Sequence, residues 1–400
     1  MRKQLVISLL LVGLLILVTA GVILYGMGYR FSLNKGNPAV SGTGLLVTTS
    51  VPDGAQVFIN EHLTTATDNT INLEPAEYNV KIFKDGYFPW QKKIIIKKEV
   101  VSKADALLLP TAPKLESITN VGVSNAVIDP TNTKLAYAVA SQSALKNGIY
   151  VLDMTLRPIL TLQSASTQIA TDTITRFSQS LLTWSPDSKQ ILASFGNPST
   201  TDYLLSATSL NPNPQDVTET LLTVNLAWQK LRDEKQIALN NSLPKKLRPI
   251  VSKYFNVLEW SDDETKVLYS ASISGELPVV ITPPLIGVDS TPQQRNIIKD
   301  SIYVYDVKED RNYKILDNMP KTKEGSSLPL MWFPDSKHLI FVHNGKIDIM
   351  EYNSLNQTTV YAGPFVDNFV FPWPDGSKIV ILTNLGNPAN NPNLYTISLK

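Results

Sequence analysis

The first feature along the chain is a run without charge: from Leu5 to Tyr29, 25 positions, the only polar interruptions are Ser8 and Thr19. A bilayer is crossed by about 20 apolar residues in a helix, so the pattern predicts a transmembrane signal-anchor over residues 1–30. Arg2, Lys3 and the α-amino group precede the run, and the positive-inside tendency then places the short end in the cytoplasm. The remaining roughly 370 residues would lie outside the cytoplasmic membrane. Arg30 and Lys35 beyond the run reduce that charge asymmetry. Val18-Thr19-Ala20 fits a signal-peptide cleavage site, but Gly21 to Tyr25 continue the apolar run past it, which favours an uncleaved anchor.

After the run, residues 31–43 are rich in Gly, Asn, Ser and Pro and read as a linker. From Gly44 the hydrophobic period becomes two. Leu46, Thr48 and Ser50 alternate with Leu45, Val47 and Thr49, a Pro52-Asp53-Gly54-Ala55 turn follows, and Gln56 to Asn60 resume the alternation, so a hairpin is expected. Tyr78–Phe83 and Gln91–Lys98, separated by the Lys84-Asp85-Gly86-Tyr87 turn, predict a second pair. Together they suggest a small antiparallel sheet domain over 44–110.

From 111 to 400 the chain repeats itself. Ile128, Trp184, Trp260, Trp332 and Phe371 each open a segment with a Pro-Asp-Ser-Lys-like turn and a short apolar strand. The turns at Pro130, Pro186, Asp262, Pro334 and Pro374 are 56, 76, 72 and 40 residues apart. The last spacing is that of one propeller blade, and the others exceed it by loop-sized insertions. Second strands recur at Gly148–Asp153, Ser301–Asp306, Lys346–Met350 and Asn393–Ile397. The fold class is therefore all-β: an N-terminal transmembrane helix, the small sheet domain, and a β-propeller of at least five blades. Two insertions interrupt it. Residues 225–255 predict a helical hairpin, Leu226 to Leu239 and then a helix opening at Pro244. Residues 273–300 form a Pro-rich apolar loop, expected either to contact a partner or to cover a blade edge.

Residues 44–110 resemble a PEGA domain, an all-β module of prokaryotic envelope proteins. The resemblance rests on Gly44-x-Leu46-x-Thr48-x-Ser50, Pro52-Asp53-Gly54-Ala55, Val57–Asn60, Leu73-x-Pro75-x-x-Tyr78-x-Val80 and Gly86-Tyr87. Asp53 stands where that family has Glu, and Glu61 and Ala76 stand where it has glycine. The Trp184-Ser185-Pro186-Asp187-Ser188-Lys189 type of turn resembles the TolB-like propeller repeat, a relative of the WD repeat. These resemblances imply an accessory or adhesive envelope module, with no catalytic residue carried over.

Composition narrows the chemistry. With no cysteine there is no disulfide, thiol nucleophile or Cys-ligated metal. A formal charge of +1 gives no global field to attract nucleic acid, and no nucleic-acid partner is expected. Three histidines, His62, His338 and His343, leave few catalytic options. His338 and His343, five apart on a strand pattern, read as structural rather than as metal ligands. Trp184, Trp260 and Trp332 share one repeat position and are expected to pack between blades rather than to stack on a ligand. Asp187, Asp263, Asp335 and Asp375 are expected to close turns rather than bind calcium. Asp262, Asp263 and Glu264 cluster within one such turn. No nucleophile elbow, HExxH motif, P-loop or dinucleotide fingerprint is present. Lys230, Arg232, Lys235, Lys245, Lys246, Arg248 and Lys253 against Asp233 and Glu234 give the helical insertion a local charge of about +5. That suits either a solvated face or an anionic surface.

These readings suggest a single-pass envelope or surface protein that binds or scaffolds through its propeller and PEGA-like domain. Its expected partners are the membrane and an envelope protein or cell-wall glycan. No catalytic, cofactor or metal residue is nominated, and no enzyme activity or cofactor is expected. The alternatives are a carbohydrate-active propeller enzyme and a non-binding spacer.

Overall fold

The computed structural model describes residues 2–26, 29–34, 37–155, 166–196, 198–322 and 325–400, with side chains described at 9–23, 26 and from 42 onward within that set. The chain divides into two compact units: Met1–Thr111 with Ile281–Gln293, and Ala112–Val280 with Gln294–Lys400.

Helix α1, Arg2–Gly26, opens the first unit. Its described side chains from Leu9 to Ile23 are exposed. Among the described residues no helix is long and apolar enough to cross a membrane. The expected span also includes residues 27–28, which lie outside the described set. Tyr29–Asn34 and Asn37–Gly42 pair antiparallel, so the stretch expected to be an irregular linker is largely a hairpin.

The rest of this unit is two packed sheets rather than one antiparallel sheet. Gly44–Val51 pairs antiparallel with Asn69–Leu73 and parallel with Val101–Leu107. Gln56–Ile59 lies in a second sheet, between His62–Ala66 and Glu77–Phe83, with Trp90–Ile95 beyond. The expected pairing of Gly44–Val51 with Gln56–Ile59 therefore does not form; the Pro52–Ala55 turn carries the chain from one sheet to the other. The reason lies in which face is buried. Leu46 and Ala104 from one sheet meet Val57, Val80, Ile82 and Trp90 from the other in a shared core, as in a sandwich. The polar inward residues of the first strand are satisfied within it: Thr48 donates to the Asn69 carbonyl at 3.2 Å, and the Ser50 and Thr67 hydroxyls meet at 2.8 Å. The second predicted pair does form, Glu77–Phe83 against Trp90–Ile95.

Part of the Pro-rich loop completes this unit. Lys92 Nζ reaches Asp289 Oδ2 at 2.9 Å, both side chains 11% exposed, and the Ser290 hydroxyl donates to the Lys93 carbonyl at 3.1 Å. Ile281–Gln293 thus groups with the PEGA-like sheets, while the flanks of the same loop, through Leu277 and Ile297, are buried with Val267 and Tyr303.

Among the described residues the second unit contains five four-stranded sheets. Blade 1 is Ser124–Ile128, Lys134–Val139, Gly148–Asp153 and Ser166–Thr171; blade 2 is Leu181–Trp184, Gln190–Phe195, Thr201–Ser206 and Gln215–Asp216. Blade 3 is Phe255–Trp260, Lys266–Ala271, Ile302–Asp306 and Arg311–Leu316; blade 4 is Leu330–Trp332, His338–His343, Lys346–Glu351 and Thr358–Ala362. Blade 5 takes Val370–Pro372, Lys378–Thr383 and Asn393–Ser398 from the end of the chain and Leu115–Ser117 from its near end, paired antiparallel to Asn393–Ser398. Closing the series with its own first strand removes an exposed edge. In blades 1, 3, 4 and 5 the second strand is covered on both faces, which is why KLAYAV, KVLYSA, HLIFVH and KIVILT read as nearly continuous apolar runs.

The repeated turns share one backbone feature. Asn132, Ser188, Glu264, Ser336 and Gly376, at the same repeat position, all have φ between 55° and 65°. The preceding or nearby aspartates hold these turns: Asp187, Asp263, Asp335 and Asp375 each accept the N–H two residues on, as Asx turns do.

Candidate functional site: a lysine-flanked groove beside the third blade

The helical insertion differs in its bounds from the expected hairpin. Helix α2 runs Leu221–Ser242, longer at both ends than the predicted 226–239, and α3 runs Arg248–Tyr254. Residues 244–247 form a turn, with the Leu247 N–H bonded to the Pro244 carbonyl at 2.8 Å. It is Pro249, not Pro244, that occupies the first helical turn, where a missing N–H costs nothing. Trp228 of α2 packs against Leu192 and Val217 of the second blade, while residues 229–238 are exposed. Helix α3 is held more firmly: Leu247, Ile250 and Val251 are buried with Phe255, Val267 and Tyr303 in the core of blade 3.

Between α3 and the strap Pro278–Val280 lies a groove of about 350 Å³, lined by Lys246, Pro249, Ile250, Lys253, Tyr254, Pro278, Val279 and Val280. The volume lies at the lower end of small-ligand sites. The strap is fixed by charge. Arg295 donates from one terminal nitrogen to the Pro278 carbonyl at 2.9 Å and from the other to Asp310 Oδ1 at 2.9 Å; Asp310 Oδ2 accepts the Val280 N–H at 2.7 Å. Tyr305 donates its hydroxyl to the same carboxylate, and burial foremost, then Asp310, pushes the Tyr305 phenol far above its ordinary value. Gly275 leaves space for Tyr254: a Cβ there would lie 3.1 Å from the ring. Lys253 Nζ stands 4.7 Å from the Tyr254 ring centre.

The other sequence-predicted candidates are placed within the propeller. Trp184 donates its indole N–H to the Val127 carbonyl of the preceding blade at 2.9 Å, and Trp332 donates to the Glu259 carbonyl at 3.4 Å. The expected inter-blade role of these two is what the bonds describe. The buried indole nitrogen of Trp260 has no hydrogen-bond partner among the described residues. His338 Nδ1 lies 2.6 Å from Asp335 Oδ2, and His343 Nε2 lies 2.8 Å from Asp348 Oδ2, so each imidazole has its own carboxylate. Among the described residues no group of three or more His, Asp or Glu side chains is arranged to hold a metal ion.

One pair of carboxyl groups is electrostatically unusual. Burial pushes the Glu259 carboxyl up to about 7, with nearby Asp262 adding to the rise, while hydrogen bonds from the Trp332 N–H and Asn132 oppose it. Burial, then Asp263 and Asp335, raises Asp262 as well. Glu259 Oε2 is engaged by the Trp332 N–H at 2.9 Å. Sequence reasoning found the Asp262–Glu264 cluster but not Glu259, whose signal was only an acidic residue before the repeat tryptophan. It also missed the groove, because the lining comes from two insertions separated by most of the third blade's first two strands. The one available signal was the apolar stretch from Leu277 to Ile281 in a loop.

Residues 43–111 match the PEGA domain family. No curated protein matches the chain. Among solved structures, a putative TolB from Agrobacterium tumefaciens is 14% identical, with 70% of this chain and 74% of that one covered and a TM-score of 0.21. TolB from Acinetobacter baumannii is 14% identical, with 80% and 60% covered and a TM-score of 0.22. The Dos1 propeller is 10% identical, with 71% and 94% covered and a TM-score of 0.27. At such scores these likenesses carry no argument about activity, and the propeller rests on its own five sheets.

Proposed function

We propose that this chain is a membrane-anchored envelope or surface protein that displays a PEGA domain and a five-bladed propeller outside the cytoplasmic membrane as a binding or scaffolding module. The observation that carries this reading is the PEGA match over 43–111 in the same chain as a propeller whose open recess is apolar and lysine-flanked. Support for the anchor comes from the charge-free sequence between Leu5 and Tyr29 and from the exposed leucines, valines and isoleucines along α1. Arg2 and Lys3 support a cytoplasmic N-terminus.

The test uses the full chain in detergent, titrated against isolated peptidoglycan, surface glycans and solubilised envelope proteins. Saturable binding to one fraction is the expected result; none to any fraction would instead favour a spacer. A second reading, a carbohydrate-active propeller, is favoured by the raised proton affinity of Glu259 beside Asp262. Because the Glu259 carboxylate already accepts the Trp332 N–H, we hold to binding. Release of reducing sugar from any of the same glycans, lost in Glu259→Gln, would reverse that choice.

A further inference from the structure

The groove beside α3 combines three properties that together select a ligand. Its floor and walls are apolar, with Ile250 buried beneath and Tyr254 and Val279 flanking it. Its far wall is immobilised, since the strap hangs from the buried Arg295–Asp310 pair through the Pro278 carbonyl and the Val280 N–H. Its charge is uncompensated. Lys246 precedes α3 and Lys253 lies in its last turn, both line the groove, and neither forms an ion pair among the described residues. No carboxylate lines the groove, and the surrounding insertion carries seven basic against two acidic side chains.

An apolar recess between two unneutralised ammonium groups favours an apolar body carrying negative charge on both sides. From this geometry we infer that the groove is a docking site for an acidic peptide segment of a partner protein, a bulky apolar side chain seated over Ile250 and flanking carboxylates meeting Lys246 and Lys253. A lipid surface suits the site less well. Membrane-surface helices present a long continuous apolar face, whereas α3 has seven residues and spends Ile250 and Val251 on the core. A small monocarboxylate would leave one lysine unmatched. The inference rests on reading the second unit as a binding module and names the chemistry of its partner.

The experiment presents the full chain, in discs of phosphatidylcholine, to a displayed library of random nonapeptides. Sequences enriched by the wild type are expected to carry at least two acidic residues around a bulky apolar one. An enriched peptide, made synthetically, should bind at least tenfold more weakly to the K246E/K253E variant, whose exposed substitutions leave the thermal transition in place, and more weakly in 1 M salt, where the screening length is about 3 Å. The Val279→Asp variant should weaken it as well. Enrichment that ignores K246E/K253E would overturn the inference while leaving the wider binding reading intact. No enrichment overturns it too, and the envelope-fraction titration then judges the wider reading separately. Hydrogen-exchange protection of 249–254 in phosphatidylglycerol discs without any peptide, and no enrichment, would assign the groove to lipid instead.

Discussion

Glu259 accepts the backbone N–H of Trp332 at 2.9 Å, joining the first strand of the third blade to that of the fourth. Its carboxyl is pushed up to about 7 by burial, so between the ordinary value of 4.5 and 7 the folded protein holds a proton that the unfolded chain has released. Stability from this group is therefore present below about 4.5 and lost as pH rises toward 7. Glu259→Gln keeps an acceptor for Trp332 and removes the buried charge. We expect it to leave stability nearly unchanged at pH 4.5 and to raise it by on the order of 1–3 kcal/mol at pH 8. Urea titrations of both proteins at the two pH values check this; an equal effect at both would show that the charge is not what matters.

The indoles at one repeat position should respond differently to the same change. Trp184→Phe leaves the Val127 carbonyl without its donor, an expected loss of about 1–2 kcal/mol beyond packing. Trp260→Phe removes a buried N–H that has no hydrogen-bond partner among the described residues, so its cost should be smaller by about that amount. Chemical denaturation of the two variants gives the difference directly, and similar costs would mean that the bond to Val127 contributes nothing.

Lys92 and Asp289 form a mostly buried pair; burial raises the Asp289 carboxyl, but Lys92 and the hydrogen bonds from Thr291 together outweigh it and hold the group below its ordinary value. Lys92→Ala should destabilise the PEGA-containing unit by about 3 kcal/mol, because a buried carboxylate loses its counter-charge even though the Thr291 N–H and hydroxyl still donate to it. Because the folded pKa is depressed, the contribution is present above the unfolded value and lost as pH falls through the folded one, on the acid side of 3.8. Limited proteolysis reads the effect locally: cleavage within 281–293 should accelerate in Lys92→Ala and in Asp289→Asn, and unchanged cleavage would dissociate the loop from the pair.

Glu61 replaces a glycine usual in the resembled family, and its φ is 70°. The left-handed backbone costs a residue with a Cβ about 1 kcal/mol, so Glu61→Gly should stabilise by about that amount. Glu264, at φ 55° where the fifth repeat has Gly376, should behave alike. Thermal unfolding that falls rather than rises in both variants would refute the strain argument. The other departure, Ala76, lies outside the positive-φ residues and needs no such relief.

Much of this architecture was legible because the constraints are local. A turn that needs Asp, a positive φ and then a buried strand imprints the same short motif wherever it occurs, and five motifs became five sheets. Gly148–Asp153 was placed to the residue because its apolar run is bounded by a glycine and a turn aspartate. What escaped depends on distant segments. Leu115–Ser117 has three residues and no period, and only Asn393–Ser398 makes it a strand. Gly44–Val51 alternates equally well for either sheet; its parallel partner, Val101–Leu107, decides. The groove is invisible for the same reason, since Lys253 and Val279 meet only after the third blade has folded.

The closure of the fifth blade has a consequence for the order of synthesis. Leu115–Ser117 leaves the ribosome about 275 residues before Asn393–Ser398, on the order of 15–60 s at ordinary elongation rates. During that interval the earlier blades exist as an open series whose first strand has nothing to pair with, and whatever accompanies the nascent chain must keep that strand free. A chain interrupted even a few residues before 393 would lose the lock, so the ring becomes durable only once 393–398 has been made.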